Sequence, residues 1–279
     1  MKSLLKILFA IALLAVLVVG GLGFYIYRQT GDVPTWRRFQ EFSADERQRL
    51  AQGVDSTLTR LTYMASNRLG TEAGADDAEA IEPVQIELSE SQINAFFQKW
   101  LAFGENRQTF ERYLREPYIS LMDGHVVLSG KPPGQERVVS LHVAAEVSDE
   151  GPLTLELEKV TVGRMPIPQS FYDEERRQLI GKLESAIPGL TDRANVDADG
   201  VANYQAVAAL MARDLVAILE GERVETVLFT TLGATDNFVP TRIQQLELTD
   251  ESVTALVDVM KRERRNTYLR DAFGGRLPS

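Results

Sequence analysis

Residues 118–130 read YISLMDGHVVLSG, and this stretch decides the fold. Two β-prone runs, 118–122 and 125–129, flank Asp123 and Gly124. That pair is the strongest two-residue hairpin signal, because a tight turn that matches the strands' own twist needs positive φ at its centre. Downstream, Val139, Leu141, Val143, Ala145 and Val147 alternate with their neighbours, a turn falls over 148–151, and Leu153, Leu155 and Leu157 alternate back. Val160 and Val162 continue after a change of face at Lys159, which is the pattern of a β-bulge. Sequential strands joined by tight turns give an antiparallel meander with one face left for helices.

Upstream, Val84, Ile86 and Leu88 alternate with Gln85 and Glu87 as a half-buried strand. Ser89 and Gln92 then form a capping box, and Ile93, Phe96, Phe97, Trp100 and Leu101 follow at i, i+3, i+4, i+7 and i+8. This is the strongest amphipathic helix of the chain, and a shorter helical piece carries Phe110, Tyr113 and Leu114 before Pro117. An earlier helix starts at the Ser43–Glu46 box and carries Leu50, Val54, Leu58, Leu61, Ala65 and Leu69 until Gly70. It reads as a stalk, a self-association surface or part of the domain. Residues 71–80 are small, acidic and aperiodic, a loop and a boundary.

Towards the C-terminus the pattern predicts a helix over 170–187 stopped by Pro188 and Gly189. A second helix starts at Asp199, carries Tyr204, Val207, Leu210, Met211, Leu215 and Ile218, and ends at Gly221. Strands follow over 224–231 and 242–248. QIELS at 85–89 is echoed by QLELT at 245–249, which predicts a second strand, cap and amphipathic helix with Val253, Leu256, Val257 and Met260. The fold class is therefore α+β, a curved antiparallel sheet packed with long helices, over residues 83–279, long enough for a substantial core.

An uncharged apolar run, residues 7–27, precedes all of this, flanked by Lys2 and Lys6 and closing on Phe24, Tyr25 and Tyr27 beside Arg28. Its 21 residues would rise roughly 31 Å as a helix, close to the hydrocarbon thickness of a bilayer. The length and the aromatic end favour a retained transmembrane anchor over 1–28, the alternative being a signal peptide cleaved near 18–20 or 21–23. The short N-terminal tail places residues beyond 28 outside the cytoplasm, so the expected location is membrane, single-pass. Residues 29–82 are then a juxtamembrane segment with the amphipathic helix and the acidic loop.

All 40 acidic residues and 28 of the 30 basic ones follow the run, a net charge of −12 that excludes a nucleic-acid partner and favours solubility. With no cysteine, thiol catalysis, cysteine-ligated metals and attachment through a lipidated cysteine are excluded. No nucleophile elbow, P-loop, paired-His zinc motif or dinucleotide fingerprint occurs. The expectation is no catalytic residue, no metal and no cofactor. His125 and His142 are the two histidines, and strand parity puts His142 on the less buried face. Asn195, Asp197, Asp199 and Gly200 resemble the first half of a calcium loop, but its twelfth position is Ala206 where a bidentate carboxylate is required. Asp199 as a helix cap is the better reading. Lys261, Arg262, Arg264 and Arg265 form a basic cluster that reads as a solvated helix end ahead of a lipid-headgroup contact.

Four stretches carry a family resemblance: IELSESQINAFF (86–97), ISLMDGHVVLSG (119–130), VVSLHVAAEV (138–147) and VTVGRMPIP (160–168). Their order after an N-terminal anchor resembles bacterial membrane-anchored or secreted proteins of the tubular lipid-binding (TULIP) type, over about a third of the chain. The resemblance implies an extracytoplasmic fold with a long helix in a curved antiparallel sheet and an apolar groove for lipid, and it supplies no catalytic residue. The expected function is a non-enzymatic envelope protein that binds or shuttles a lipid. Phe96, Phe97, Trp100 and Leu101 are the candidate groove lining, and Val139, Leu141 and Val143 the facing sheet wall. The alternative is an envelope interaction or scaffold module with a fully packed core, assembling with a protein partner through the helix over 43–70.

Overall fold

The structure is a computed structural model, and it describes residues 33–72, 82–104, 106–111, 114–147, 152–233 and 236–278. The apolar run at 7–27 and the turn at 148–151 lie outside these residues, as does nearly all of the acidic loop. Among the described residues no helix is long and apolar enough to cross a membrane.

The described residues are α+β with two antiparallel sheets. In chain order the elements are α1 (Ala44–Glu72), β1 (Val84–Ser89), α2 (Glu90–Leu101), α3 (Asn106–Glu111), β2 (Arg115–Met122), β3 (His125–Lys131), β4 (Val139–Val147), β5 (Leu153–Val162) and β6 (Met165–Pro166). A 3₁₀ turn (Gln169–Phe171) leads to α4 (Asp173–Thr191), β7 (Ala202–Asn203), α5 (Tyr204–Glu220), β8 (Val224–Thr226), β9 (Leu228–Thr231), β10 (Asn237–Leu248), β11 (Ser252–Val259) and α6 (Arg262–Ala272). One sheet runs β2-β3-β4-β5-β6 with β8 also on β5. The other runs β1-β11-β10-β7 with β9 also on β10.

The meander forms as the sequence dictates. Met122 pairs with His125 across a two-residue loop in which Gly124 has φ +70°. The long β4–β5 pair shifts register between His142–Lys159 and Val143–Leu157, so Glu158 is the bulged residue that carries the change of face.

Four expectations fail. The echo after residue 248 is strand β11, not a helix. Thr249 Oγ accepts from Ser252 N at 3.0 Å as a helix cap would, but Thr249 N also donates to Ser252 O at 3.0 Å and closes a hairpin. Val253, Thr254, Val257 and Val259 are β-branched, and β11 is paired on both sides, by β10 and by the sequence-distant β1. The run at 224–231 is two strands in different sheets, switching at Val227. Helix α4 continues through Pro188 to Thr191, with Pro188 and Gly189 exposed and Leu190 and Thr191 half-buried. Helix α5 begins at Tyr204, five residues after Asp199, and its cap is Asn203, whose Oδ1 accepts from Ala206 N at 2.9 Å.

The reason Asp199 does not cap lies in the loop before it. Asp197 Oδ1 accepts from Asp199 N and from Val201 N, both at 2.9 Å, and Gly200 turns the chain at φ +71°. Asp199 O then faces Arg265, which is fully buried and donates to it through Nε at 3.0 Å and Nη2 at 2.7 Å, with Nη1 on Met260 O at 2.6 Å. Arg262 adds an ion pair to Asp199 at 3.1 Å. Half of the basic cluster read as a solvated helix end thus docks α6 onto the calcium-like loop, and the cation held there is a guanidinium.

Three apolar cores result. The first lies on the meander under α2, α4 and α5, and holds Phe97, Leu141, Val160, Leu179 and Leu219. The second joins both sheets to α1, which contributes Leu61, Met64 and Ala65. The third packs α5, α6 and the 194–202 loop around Phe238. Helix α1 is therefore part of the domain, with its apolar stripe turned inward.

Candidate functional site

Helix α2 is locked over the edge of the meander by polar side chains. Its start is fixed by the capping box, Gln92 N to Ser89 Oγ at 3.2 Å and Ser89 N to Gln92 Oε1 at 2.8 Å. One turn in, Asn94 pairs with β2 as a neighbouring strand would. Its Nδ2 donates to Ile119 O at 2.7 Å, and its Oδ1 accepts from Ile119 N at 2.8 Å. Glu90 accepts from Leu121 N and from the Tyr118 hydroxyl, each at 2.8 Å. Edge strand β2 is thereby closed by side chains of a helix, and every one of these groups is buried. Glu90, Asn94 and Phe97 stand at i, i+4 and i+7, a spacing that marks them as one buried face.

The seven expected lining residues separate into two sets. Phe97, Val139 and Leu141 are 1%, 0% and 0% exposed, and Val143 is also buried, so they are enclosed by protein on all sides. Trp100 and Leu101 are half-buried and pack against the same core, Trp100 stacking on Phe97 with ring centroids 6.0 Å apart. Phe96 is half-buried and stands apart from that core.

An apolar fringe of partly buried side chains, the seam, packs against the enclosed residues. Ile93, Trp100 and Leu101 supply it from α2, Ile180 and Leu183 from α4, and Val126 and Leu157 from β3 and β5, all only partly buried. Among the described residues α2 packs along α1 and α4 along α5, while α2 and α4 make no extended contact with each other.

At the C-terminal end of α2 the seam meets a cleft of about 340 Å³, in which Leu101 is a wall of both. Arg47, Arg107 and Arg115 line it together with Glu41, Glu111 and Glu116, a balanced set of charges. Glu116 precedes Pro117 and is the one non-glycine residue with positive φ, +48°, among the described residues. It is held there by Lys131 at 3.0 Å and by Arg37, whose Nη2 donates to its carbonyl at 2.7 Å. Those cations keep its carboxyl below the ordinary range despite partial burial.

The segment before α1 straps this end of the molecule. Trp36 packs edge-on against His142 at 5.2 Å, Phe39 against Tyr118 at 5.9 Å, and Gln98 Nε2 donates to Gln40 O at 2.9 Å. The strap corrects the reading of His142, which is 2% exposed. Parity does put it on the face away from the main core, but Trp36 covers that face. Burial pushes its pKa down to about 4, so it is neutral at pH 7. His125 differs: its Nδ1 lies 2.7 Å from Asp123 O and its Nε2 2.9 Å from Glu158, and both contacts raise its pKa.

One further titratable group sits between α5, β8 and α6. Asp214 accepts from Thr226 Oγ1 at 2.7 Å, and burial raises its carboxyl to about 6. Sequence reading missed it, because a single aspartate on a long apolar helix carries no motif.

No family model, no curated protein and no solved structure matches this chain.

Proposed function

We propose that this protein is a non-catalytic envelope module, held to the membrane by residues 7–27 with its folded part outside the cytoplasm, that binds a lipid along the seam between α2 and α4. The observation that carries this reading is the set of half-buried apolar side chains on α2, α4, β3 and β5 that pack against the enclosed core, with no extended contact between α2 and α4 among the described residues. The resemblance to tubular lipid-binding proteins, with a helix over a curved sheet, supports the same reading. An acyl chain gains about 0.8 kcal/mol per buried methylene, so covering about eight methylenes is worth about 6 kcal/mol, the scale of a reversible carrier. The guest contacts Trp100, Leu101, Ile180 and Leu183 rather than the enclosed Phe97, Val139 and Leu141.

The test is native mass spectrometry of the full chain extracted from membranes, with photo-crosslinking by a diazirine fatty acid. Co-purifying lipid and adducts on α2 and α4 are expected. Absence of both refutes the reading. The second reading, an interaction module with a packed core, is favoured by the zero exposure of Val139 and Leu141. It predicts protein rather than lipid crosslinks, and since the stripe of α1 is turned inward, the contact would use another surface than the one the sequence suggests.

A further inference from the structure

The strap before α1, residues 33–42, is tied to the fold by side chains. Among the described residues its one backbone–backbone hydrogen bond is internal, from Arg37 N to Pro34 O at 3.1 Å. Its seat is the outer face of the meander, where Ser140 and His142 on β4 and Thr161 on β5 are all buried. The polar contacts there are long. Trp36 Nε1 lies 3.4 Å from Ser140 Oγ, and His142 Nε2 lies 3.4 Å from Thr161 Oγ1. Stronger ties belong to Arg37, which donates to Glu116 O at 2.7 Å, and to Gln98, which holds Gln40 O and Phe42 N. The charged and titratable groups facing His142 are Lys159 and Glu158 on β5 and His125 on β3. Among the described residues no carboxylate hydrogen-bonds the His142 ring, because Glu158 is engaged by His125 Nε2 at 2.9 Å. On the strap itself the two residues after Trp36 are cations, Arg37 and Arg38.

A protonated imidazole under Trp36 has no free anion to pair with, and burying it costs the hydration of its charge. Water reaches that charge only when Trp36 lifts away, so a proton on His142 and a docked strap oppose one another. We propose that the strap is a clasp released by protons, in which protonation of His142 undocks Trp36 and frees residues 33–42. The sign follows from burial, which pushes the His142 pKa down to about 4 with the strap in place, against an ordinary 6.5. Docking is therefore at full strength above pH 6.5 and weakens as pH falls towards about 4, by at most about 100-fold. Lys159 and His125 stay beside the imidazole when the strap leaves, which brings the expected loss closer to about tenfold. Ten freed residues span up to about 35 Å. The strap directly follows the expected anchor, so release lengthens the tether between bilayer and folded part. That consequence rests on the membrane reading, whereas the release itself does not.

Hydrogen exchange of the full chain in detergent, followed by mass spectrometry, reads the clasp through the Arg37 amide, which is protected while the turn from Pro34 is docked. From pH 7 to pH 4, after correction for intrinsic exchange, strap protection is expected to fall about tenfold while β3 and β4 stay protected. H142Q cannot take the proton, so its strap protection should stay constant. K159Q removes an opposing cation, so its loss of protection should begin at higher pH. Wild-type strap protection that is independent of pH, or that falls equally in H142Q, overturns the proposal. Should H142Q fail to dock its strap at pH 7, a K159Q profile superimposing on the wild type overturns it instead. Failure of the membrane reading looks different. The chain has no cysteine, so E184C, at an exposed position of α4, carries a single donor dye for energy transfer to acceptor lipids in nanodiscs. Transfer should drop on acidification. Strap protection that depends on pH while transfer stays constant keeps the clasp and refutes the membrane tether.

Discussion

Replacing Asp214 by Asn gives a stability change whose sign depends on pH. Asp214 lies on α5 under β8 and α6, and its carboxyl is raised from 3.8 to about 6, first by burial, with the Thr226 hydrogen bond and Arg213 opposing. A folded pKa above the unfolded one means that the native state holds the proton longer. Between about pH 3.8 and about pH 6 the native chain thus binds more protons than the unfolded chain, and stability falls as pH rises through that window. Two units at 1.36 kcal/mol each give about 3 kcal/mol as an upper bound, and the partly open side chain reduces this to about 2 kcal/mol. Asn keeps an oxygen for Thr226 Oγ1 and has no charge to desolvate. D214N is therefore expected to exceed the wild type by about 1–2 kcal/mol at pH 7.5, the two curves converging near pH 4. Urea denaturation of the full chain in detergent at several pH values measures this, provided m is unchanged. A difference that is independent of pH, or a D214N that is less stable at pH 7.5, refutes the assignment.

Three further outcomes follow from buried contacts. R265M removes the donors from Asp199 O and Met260 O and is expected to cost about 3–5 kcal/mol, read as a lowered urea midpoint, with a loss under about 1 kcal/mol contradicting the docking role of that guanidinium. N94L leaves both backbone groups of Ile119 unpaired in the interior and is expected to cost about 2–4 kcal/mol; hydrogen exchange at Ile119 should accelerate, and unchanged protection would count against side-chain closure of the β2 edge. W36A uncovers His142, so its pKa should climb from about 4 towards the ordinary 6.5, followed by NMR titration of the imidazole; a value that stays put would mean that Lys159 and His125, which also lower it, dominate over cover by the strap.

Periodicity and turn chemistry sufficed for the elements whose partners are adjacent in the chain. The Asp123–Gly124 hairpin, the bulge beside Lys159 and the capped helix after Ser89 were each readable, because a local rule with one solution governs each. The α+β class and the antiparallel meander follow from those alone. What local rules leave open is which of two compatible states a segment adopts when a distant partner is available. VTALVDV after Thr249 fits a helix stripe or a strand, and β1, more than 160 residues earlier, decides for the strand by pairing along its whole length. His142 points where parity says, yet only the fold brings Trp36 over it. The enclosure of Val139 and Leu141 and the partial burial of Trp100, Leu101, Ile180 and Leu183 likewise depend on how helices from separate parts of the chain meet one sheet. One sequence period describes a single face of a single element, and burial is a property of two.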